Sequence, residues 1–151
     1  MNVVYTVGEM ARLVGISTST LRYYDKEGLL PFVERSAGGI RIFKESDYQC
    51  LQIIECLKKT GMSLKDIKEF IYMAMQGDES IDERLELFKE QRKAVLEQME
   101  ELNKTLETID FKCWYYETAK KAGTESVFEN MTYDDIPERF REQGHKLLNL
   151  K

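Results

Sequence analysis

The sequence predicts a mostly α-helical protein in which a winged helix-turn-helix domain with a small β wing precedes a long dimerisation coiled-coil helix. The chain has 151 residues but only two prolines, Pro31 and Pro137, so a long stretch carries no helix breaker. Two short capped helices are expected near the N-terminus, and apolar residues recur every three or four positions over residues 81–116. Apolar residues make up 42% of the chain and charged residues 32%, which excludes a wholly disordered protein.

The first two helices are marked by their capping residues. Thr6 and Glu9 form a capping-box pattern that begins a helix, and Gly15 ends it. Ser17 is placed to cap a second helix over residues 18–27. Two short helices joined by a glycine-containing turn are typical of a helix-turn-helix, although an ordinary helical hairpin has the same pattern.

A hairpin and two more helices are expected next. The Gly38–Gly39 pair between short extended runs suits a β-turn, because glycine adopts positive φ at little cost. A third helix is predicted over residues 46–60. Ser63 is placed to cap a fourth helix that reaches about Gln76. These elements predict a winged helix-turn-helix DNA-binding domain over residues 1–76.

The longest regular feature is an apolar seam, broken only by Arg92, in a helix predicted over residues 77–120. At ~1.5 Å per residue, residues 81–116 would extend ~54 Å, too far to bury the seam on the preceding domain. We therefore expect a partner helix, most simply from a second copy of the chain, although a helix packed within one globular domain is the alternative. The seam does not distinguish parallel from antiparallel pairing. The expected dimer interface consists of Leu85, Phe88, Val95, Met99, Leu102, Leu106 and Ile109.

The remaining segment, residues 121–151, is irregular and polar. It contains two apolar clusters, so we expect this C-terminal tail to pack back on the helical body. The clusters consist of Val127, Phe128, Met131 and Tyr133, and of Leu147, Leu148 and Leu150.

Net charge argues against nucleic-acid binding until its distribution is considered. The 22 Lys and Arg against 27 Asp and Glu give a net charge of -5. Residues 1–44 hold six cations and four anions (6 - 4 = +2), so residues 45–151 carry -7. A mildly basic head on an acidic body is compatible with DNA binding by the head alone.

Enzymatic and metal-binding chemistry find little support. The sequence has no glycine-rich phosphate loop, and its single histidine, His145, has no evident nucleophile partner. Cys50 and Cys56 are six residues apart, which separates them by ~120° around a helix, and Cys113 is distant in sequence. We therefore expect no catalytic residues, no metal ligands and no cofactor.

The sequence also predicts a cytoplasmic protein without a membrane segment. No apolar stretch approaches the ~20 residues that span a bilayer, and the N-terminal residues do not resemble a signal peptide. The odd number of cysteines, three, does not suggest a disulfide framework.

The second helix carries side chains suited to DNA. Its N-terminal end bears small hydroxyl residues, where recognition helices meet base edges and phosphates. Arg22 can reach guanine or phosphate, and Tyr23 and Tyr24 can bind phosphate through their hydroxyls while their rings pack. We expect Leu21 to lie in the core, and the alternative to a DNA contact for one of the tyrosines is that it lies there as well. The hydroxyl candidates, placed by geometry, are Ser17, Ser19 and Thr20.

These motifs together resemble the MerR family of bacterial transcriptional regulators. The resemblance rests on Thr6-Val7-Gly8-Glu9, on the segment from Thr20 to Pro31 with its Leu-Arg-Tyr-Tyr block, on the wing Gly39-Ile40-Arg41-Ile42-Phe43 and on Gly61-Met62-Ser63-Leu64-Lys65-Asp66-Ile67. It covers about residues 3–116, including the long helix, and the tail matches less well.

The resemblance implies an antiparallel coiled-coil homodimer that binds a palindrome in double-stranded promoter DNA. Such regulators bend and untwist a promoter whose spacer is too long, which realigns its elements for RNA polymerase. The matching positions place the DNA contacts at Arg22, Tyr23, Tyr24, Arg41 and Lys58.

The effector is indicated less directly. The segment Ile53-Ile54-Glu55-Cys56-Leu57-Lys58 resembles the third helix of the aldehyde- and electrophile-responsive branch, which has a cysteine at the place of Cys56. The neighbouring cations Lys58 and Lys59 favour a reactive thiolate, whereas the alternative is a buried, inert thiol. A noncovalent ligand pocket lined by Phe111, Trp114, Tyr115 and Tyr116 is a second alternative, and an effector-free architectural DNA-binding protein is a third.

Overall fold

The computed structural model describes residues 3–148. Residues 1–2 of the predicted first domain and residues 149–151 of the predicted tail, Leu150 among them, lie outside the described residues. The described part is mostly helical with one small sheet, which confirms the predicted fold class. None of the described helices combines the length and the apolar character that a bilayer crossing requires.

The chain divides into two compact units, Met1–Val95 and Leu96–Lys151. The boundary between the units falls inside the longest helix, so each unit contains part of that helix. The three-part division at residues 76 and 120 therefore stays a prediction.

The N-terminal unit begins with the expected helix pair. Helix α1 spans Val7–Val14 and α2 spans Thr18–Lys26. The capping box is confirmed, since the Thr6 amide donates to the Glu9 carboxylate at 2.8 Å and the Glu9 amide donates to the Thr6 hydroxyl at 3.3 Å. Gly15 ends α1 with φ of 81°, so the turn between the helices follows from its glycine.

Three short strands form an antiparallel sheet in the order β1-β3-β2. Strand β1 spans Val4–Tyr5, β2 spans Glu34–Arg35 and β3 spans Arg41–Lys44. The β2–β3 hairpin is the predicted wing, and Gly39 in its turn has φ of 80°. Strand β1 was not expected, because a two-residue strand is too short to show a period-2 pattern.

Two further helices complete the core of this unit. Helix α3 spans Glu45–Lys59 and α4 spans Leu64–Met75, with Ser63 capping α4 as predicted. Side chains from α1 to α4 and from β3 meet in one buried cluster, in which Leu21 and Tyr24 of α2 share the core with residues of α3. Its largest fully buried members include Met10, Leu21, Tyr24, Phe43, Leu51, Ile54, Leu57 and Ile67.

Helix α5 spans Ile81–Ala122, a single helix of 42 residues. The sequence predicts its start at residue 77, but Gly77–Ser80 forms a turn of 3₁₀-helix. Arg84 stabilises this turn by donating to the carbonyl of Gly77 at 2.8 Å. The long regular helix follows from the absence of proline and glycine across these residues.

In the second unit, the tail after α5 forms three 3₁₀ turns, Glu125–Asn130, Tyr133–Asp135 and Glu138–Phe140, followed by α6 over Arg141–Leu147. Phe111 of α5 is fully buried against Ile136 and Phe140 of the tail. A side chain at Gly144 would meet the Ile136 methyl at 2.6 Å, so α6 lies this close only because residue 144 has no Cβ.

The tail and the apolar seam occupy different faces of α5 in this unit. In the heptad that the seam defines, Phe111 is at an outer f position, and Tyr115, which stacks on Phe128 at 4.0 Å, is at c. The seam side chains stay exposed: Met99, Leu102, Leu106 and Ile109. The tail therefore leaves the seam uncovered.

Candidate nucleic-acid interface

The N-terminal end of α2 presents a small group of hydroxyls. The Ser17 hydroxyl caps the helix by accepting the Thr20 amide at 3.0 Å, and it lies 2.9 Å from the Ser19 hydroxyl and 2.8 Å from that of Thr20. Ser17 and Ser19 are exposed. The free amides of a helix start and these hydroxyls form a donor-rich end that suits a phosphate.

The middle of α2 separates its side chains into two groups. Leu21 is buried, as predicted, whereas Arg22 and Tyr23 are exposed, Tyr23 to 47%. One helical turn after Leu21, Tyr24 is only 1% exposed. Of the three contacts that the family resemblance places on this helix, Arg22 and Tyr23 are exposed, and Tyr24 lies in the core.

The Tyr24 hydroxyl is held by two residues of α3. It donates to the Glu55 carboxylate at 2.6 Å and accepts from the Lys58 ammonium, which also lies 4.9 Å from the centre of the Tyr24 ring. Burial, and then Glu55, raise the pKa of Tyr24, so the phenol remains a donor. This arrangement favours a role for Tyr24 in fixing the recognition helix rather than in phosphate binding.

We expect Tyr24→Phe to lower the free energy of unfolding by about 1–2 kcal/mol, because Glu55 and Lys58 each lose a partly buried partner. Tyr23→Phe removes an exposed hydroxyl and should cost less than about 0.5 kcal/mol. Urea denaturation of both variants measures the difference. Equal free energies of unfolding for the two variants would contradict the assignment of the Tyr24 hydroxyl to a structural role.

The wing places two arginines beside α2. Arg41 Nε donates to Asp25 Oδ2 at 2.7 Å, and Arg35 Nη2 donates to the same oxygen at 2.7 Å. Arg41 is half-buried by this contact, so the predicted wing contact is paired in the DNA-free chain. Lys58, the predicted contact at the end of α3, is exposed apart from its bond to Tyr24.

The three cysteines differ in environment. Cys56, the predicted sensor, is exposed on α3, so the alternative of a buried, inert thiol does not describe it. Cys50 is half-buried, and burial, with the nearby Asp47 carboxylate, raises the pKa of its thiol. Cys113 is exposed on α5. Among residues 3–148, no three His, Cys, Asp or Glu side chains are grouped as metal ligands would be.

The aromatic residues near the end of α5 form a packed cluster. The Trp114 ring lies 5.7 Å from that of Phe111 and 5.8 Å from that of Phe128. Phe111 is fully buried, whereas Tyr116 is exposed on the seam side. Phe111, Trp114 and Tyr115 thus pack against other rings of the second unit, which favours a core role over a ligand pocket for these three, while Tyr116 stays exposed.

One cleft in the described part of this unit has a lining of polar and charged residues. It has a volume of about 600 Å³ and is lined by Glu100, Asn103, Lys104, Glu107, Thr108, Glu142, Gln143 and Lys146. None of the four aromatic residues of the noncovalent-pocket alternative lines this cleft.

Three residues of the interface were missed by the sequence analysis: Asp25, Arg35 and Glu55. Asp25 and Glu55 are carboxylates among many, and their partners lie 10 to 31 residues away in sequence. Arg35 had no correct signal either, because a two-residue Gly38–Gly39 turn would place residue 35 opposite residue 42, whereas the structure pairs Arg35 with Arg41.

Comparison with known proteins agrees with this geometry. The model of the MerR HTH family regulatory protein matches residues 5–73, and the model described as MerR, DNA binding matches residues 48–110. An uncharacterised HTH-type transcriptional regulator of Haemophilus influenzae is 48% identical over 120 residues, covering 80% of this chain and 89% of that protein. The HTH-type transcriptional regulator AdhR of Bacillus subtilis is 30% identical over 91 residues, covering 60% and 65%.

Solved structures give the same result. HiNmlR, a MerR family regulator lacking the sensor domain and bound to promoter DNA, is similar with a TM-score of 0.74 and 46% identity, covering 83% of this chain and 99% of that one. A MerR family regulator of Bacillus thuringiensis has a TM-score of 0.68 and 42% identity, covering 74% and 97%. The chain belongs to the MerR family of DNA-binding transcriptional regulators and is not an enzyme.

Proposed function

We propose that the chain acts as a homodimer on a palindromic promoter site and controls transcription by distorting the DNA for RNA polymerase. The observation that carries this proposal is the exposed apolar seam of α5. Side chains such as Leu102 and Leu106 stabilise a soluble protein only when a partner covers them. A second copy of α5 offers the same seam and is the simplest partner.

The first unit contributes to the seam as well. Leu85 is exposed, whereas Phe88 packs edge-on against Phe70 of α4 at 5.3 Å and Val95 is half-buried. In a dimer, Phe88 would therefore contact both α4 of its own chain and the partner. This supports a close junction between α4 and the first part of α5 within the first unit.

A dimer of this kind reads two half-sites at a fixed spacing. If that spacing differs from the spacing in relaxed DNA, binding bends or untwists the duplex, and the deformation energy becomes a means of control. The similarity to HiNmlR, which was solved bound to promoter DNA, supports a promoter as the target. DNase footprinting on one promoter tests binding and distortion, and in vitro transcription on the same promoter tests control. Binding without hypersensitive cleavage and without any change in transcript level would contradict control by distortion.

We expect Arg22→Ala to weaken binding to the specific site by about 1–3 kcal/mol and to lower the salt slope by about 1, because one cation at the DNA surface is lost. Lys89→Ala removes the same charge from an ion pair with Glu86 on α5 and should change neither quantity. Fluorescence anisotropy at several salt concentrations measures both. Unchanged binding by Arg22→Ala would show that this side chain does not touch DNA.

The effector we propose is an electrophile, such as an aldehyde, that reacts with Cys56. The sulfur adds to the carbonyl carbon, the C–S bond forms as the C=O π bond breaks, and the thiol proton ends on oxygen. The product is a hemithioacetal, so no oxidant is needed. The exposure of Cys56 on α3 supports this step, since a reagent can reach the sulfur.

A sensor within the helical body also agrees with the relatives. HiNmlR lacks a sensor domain, yet this chain matches 99% of it. A sensor on α3 would lie within residues 5–73, which the MerR HTH model matches, and would need no additional domain. In vitro transcription with and without formaldehyde separates this proposal from a noncovalent effector and from an effector-free architectural protein.

A further inference from the structure

One carboxylate joins the recognition helix to the wing. Asp25 lies in the last turn of α2 and is 17% exposed. Its Oδ2 accepts from Arg35 of β2 and from Arg41 of β3, each at 2.7 Å. Such short contacts between ionised groups are among the stronger hydrogen bonds in proteins.

The two arginines are direct neighbours across the hairpin, because Arg35 and Arg41 are paired in the β2–β3 register. Like charges at directly opposed positions destabilise a strand pair, and the Asp25 carboxylate between them offsets that repulsion. Arg35 also donates through Nη1 to the Gly39 carbonyl at 2.9 Å. A single guanidinium thus binds both the helix and the turn of the wing.

The two strands of the wing are held differently. Strand β3 pairs with β1 and buries Phe43 in the core, whereas β2 consists of two exposed residues, Glu34 and Arg35, and pairs with β3. A hairpin this short is marginal without tertiary support. The hydrogen bonds that join the wing to α2 in the described part of the chain are those of Asp25 with Arg35 and Arg41, so Asp25 fixes the wing against α2.

We propose that Asp25 is a positioning residue for DNA recognition, which holds the wing in register with α2 and keeps two guanidinium groups from binding phosphates independently. This inference rests on the proposed promoter-binding function. With the carboxylate present, wing and helix meet the DNA as one rigid surface. Without it, Arg35 and Arg41 become free cations that bind any duplex.

The consequence is a change in specificity as well as in affinity. In Asp25→Asn, binding to a specific duplex should weaken roughly tenfold, the factor expected for a lost hydrogen bond between charged groups. Binding to a scrambled duplex should strengthen, and its salt slope should steepen by about 0.9 for each freed arginine that reaches a phosphate. A purely structural defect would lower both affinities and would not steepen the slope.

The test uses a duplex that the wild-type full chain selects from a randomised library, and a scrambled duplex of the same length. Anisotropy titrations over a range of salt compare wild type, Asp25→Asn, Asp25→Glu and Glu27→Gln. Glu27 is exposed two residues after Asp25, and its substitution changes the charge equally without touching the arginines. We expect the ratio of specific to scrambled affinity to fall clearly only in Asp25→Asn. In Asp25→Glu the ratio should return most of the way to the wild-type value.

Two results would overturn the proposal. Equal changes in Asp25→Asn and Glu27→Gln would show an effect of net charge alone, and a proportional loss on both duplexes would show a folding defect alone. If Asp25→Asn does not fold, Arg35→Gln removes the Arg35–Asp25 contact from the side of the wing. A ratio of specific to scrambled affinity that is unchanged in Arg35→Gln would then overturn the proposal. Failure of the wild type to select any duplex would instead contradict promoter binding itself.

Discussion

Leu102→Glu is expected to convert the protein into a monomer and to lower its affinity for a palindromic site at least about a hundredfold. Leu102 is the most exposed large apolar side chain of the seam, at 68%, and a dimer would bury one glutamate from each copy in the coil. Once the heads are separate, the second half-site no longer benefits from the high effective concentration of a linked partner. Sedimentation velocity gives the oligomeric state, and anisotropy gives the affinity.

Lys93→Glu is the matched control. Lys93 lies one position after Arg92 and falls on an outward b position of the same heptad, so a larger change of charge there should leave the dimer intact. Far-UV circular dichroism confirms that both variants keep their helices. A Leu102→Glu variant that sediments as a dimer would show that the seam is not the interface.

Cys56→Ser is expected to abolish the transcriptional response to formaldehyde while leaving DNA binding within about twofold of the wild type. A serine hydroxyl keeps the size of the side chain but is a far weaker nucleophile than a thiol near neutral pH. Because Cys56 is exposed, the substitution creates no cavity. In vitro transcription with increasing aldehyde, together with mass spectrometry of the intact chain, measures response and adduct.

The other two cysteines supply the controls. The raised pKa of Cys50, caused by burial and by Asp47, keeps its thiol protonated, so Cys50→Ser should respond like the wild type. Cys113 lies at a seam position of α5 and would be covered in the dimer, so Cys113→Ser should also retain the response. A full response from Cys56→Ser would refute thiol sensing and would favour a noncovalent effector.

The elements that the sequence predicted well are those with local signals. Thr6, Ser17 and Ser63 each begin a helix where expected, because a capping side chain bonds to an amide within three residues. The long helix was equally clear from its heptad. The start of α5 was placed four residues too early, since the 3₁₀ turn before it depends on Arg84.

The interface was harder to predict because its contacts join residues distant in sequence. Tyr23 and Tyr24 are adjacent and chemically identical, yet one is exposed and the other buried, since their side chains are ~100° apart around α2. Which side meets the core depends on how α2 packs on α3. The role of Asp25 similarly requires the wing to be folded, and no pattern within α2 reveals it.

The position of the tail on α5 determines where insertions or fused domains can be added without covering the seam. Within the second unit, the tail covers the face that carries Phe111, while Leu102 and Ile109 remain uncovered on the seam. Insertions in the tail, or a domain fused to α6, would add material away from the seam. New regulatory inputs can thus be acquired, in evolution or by engineering, without redesign of the helix pair.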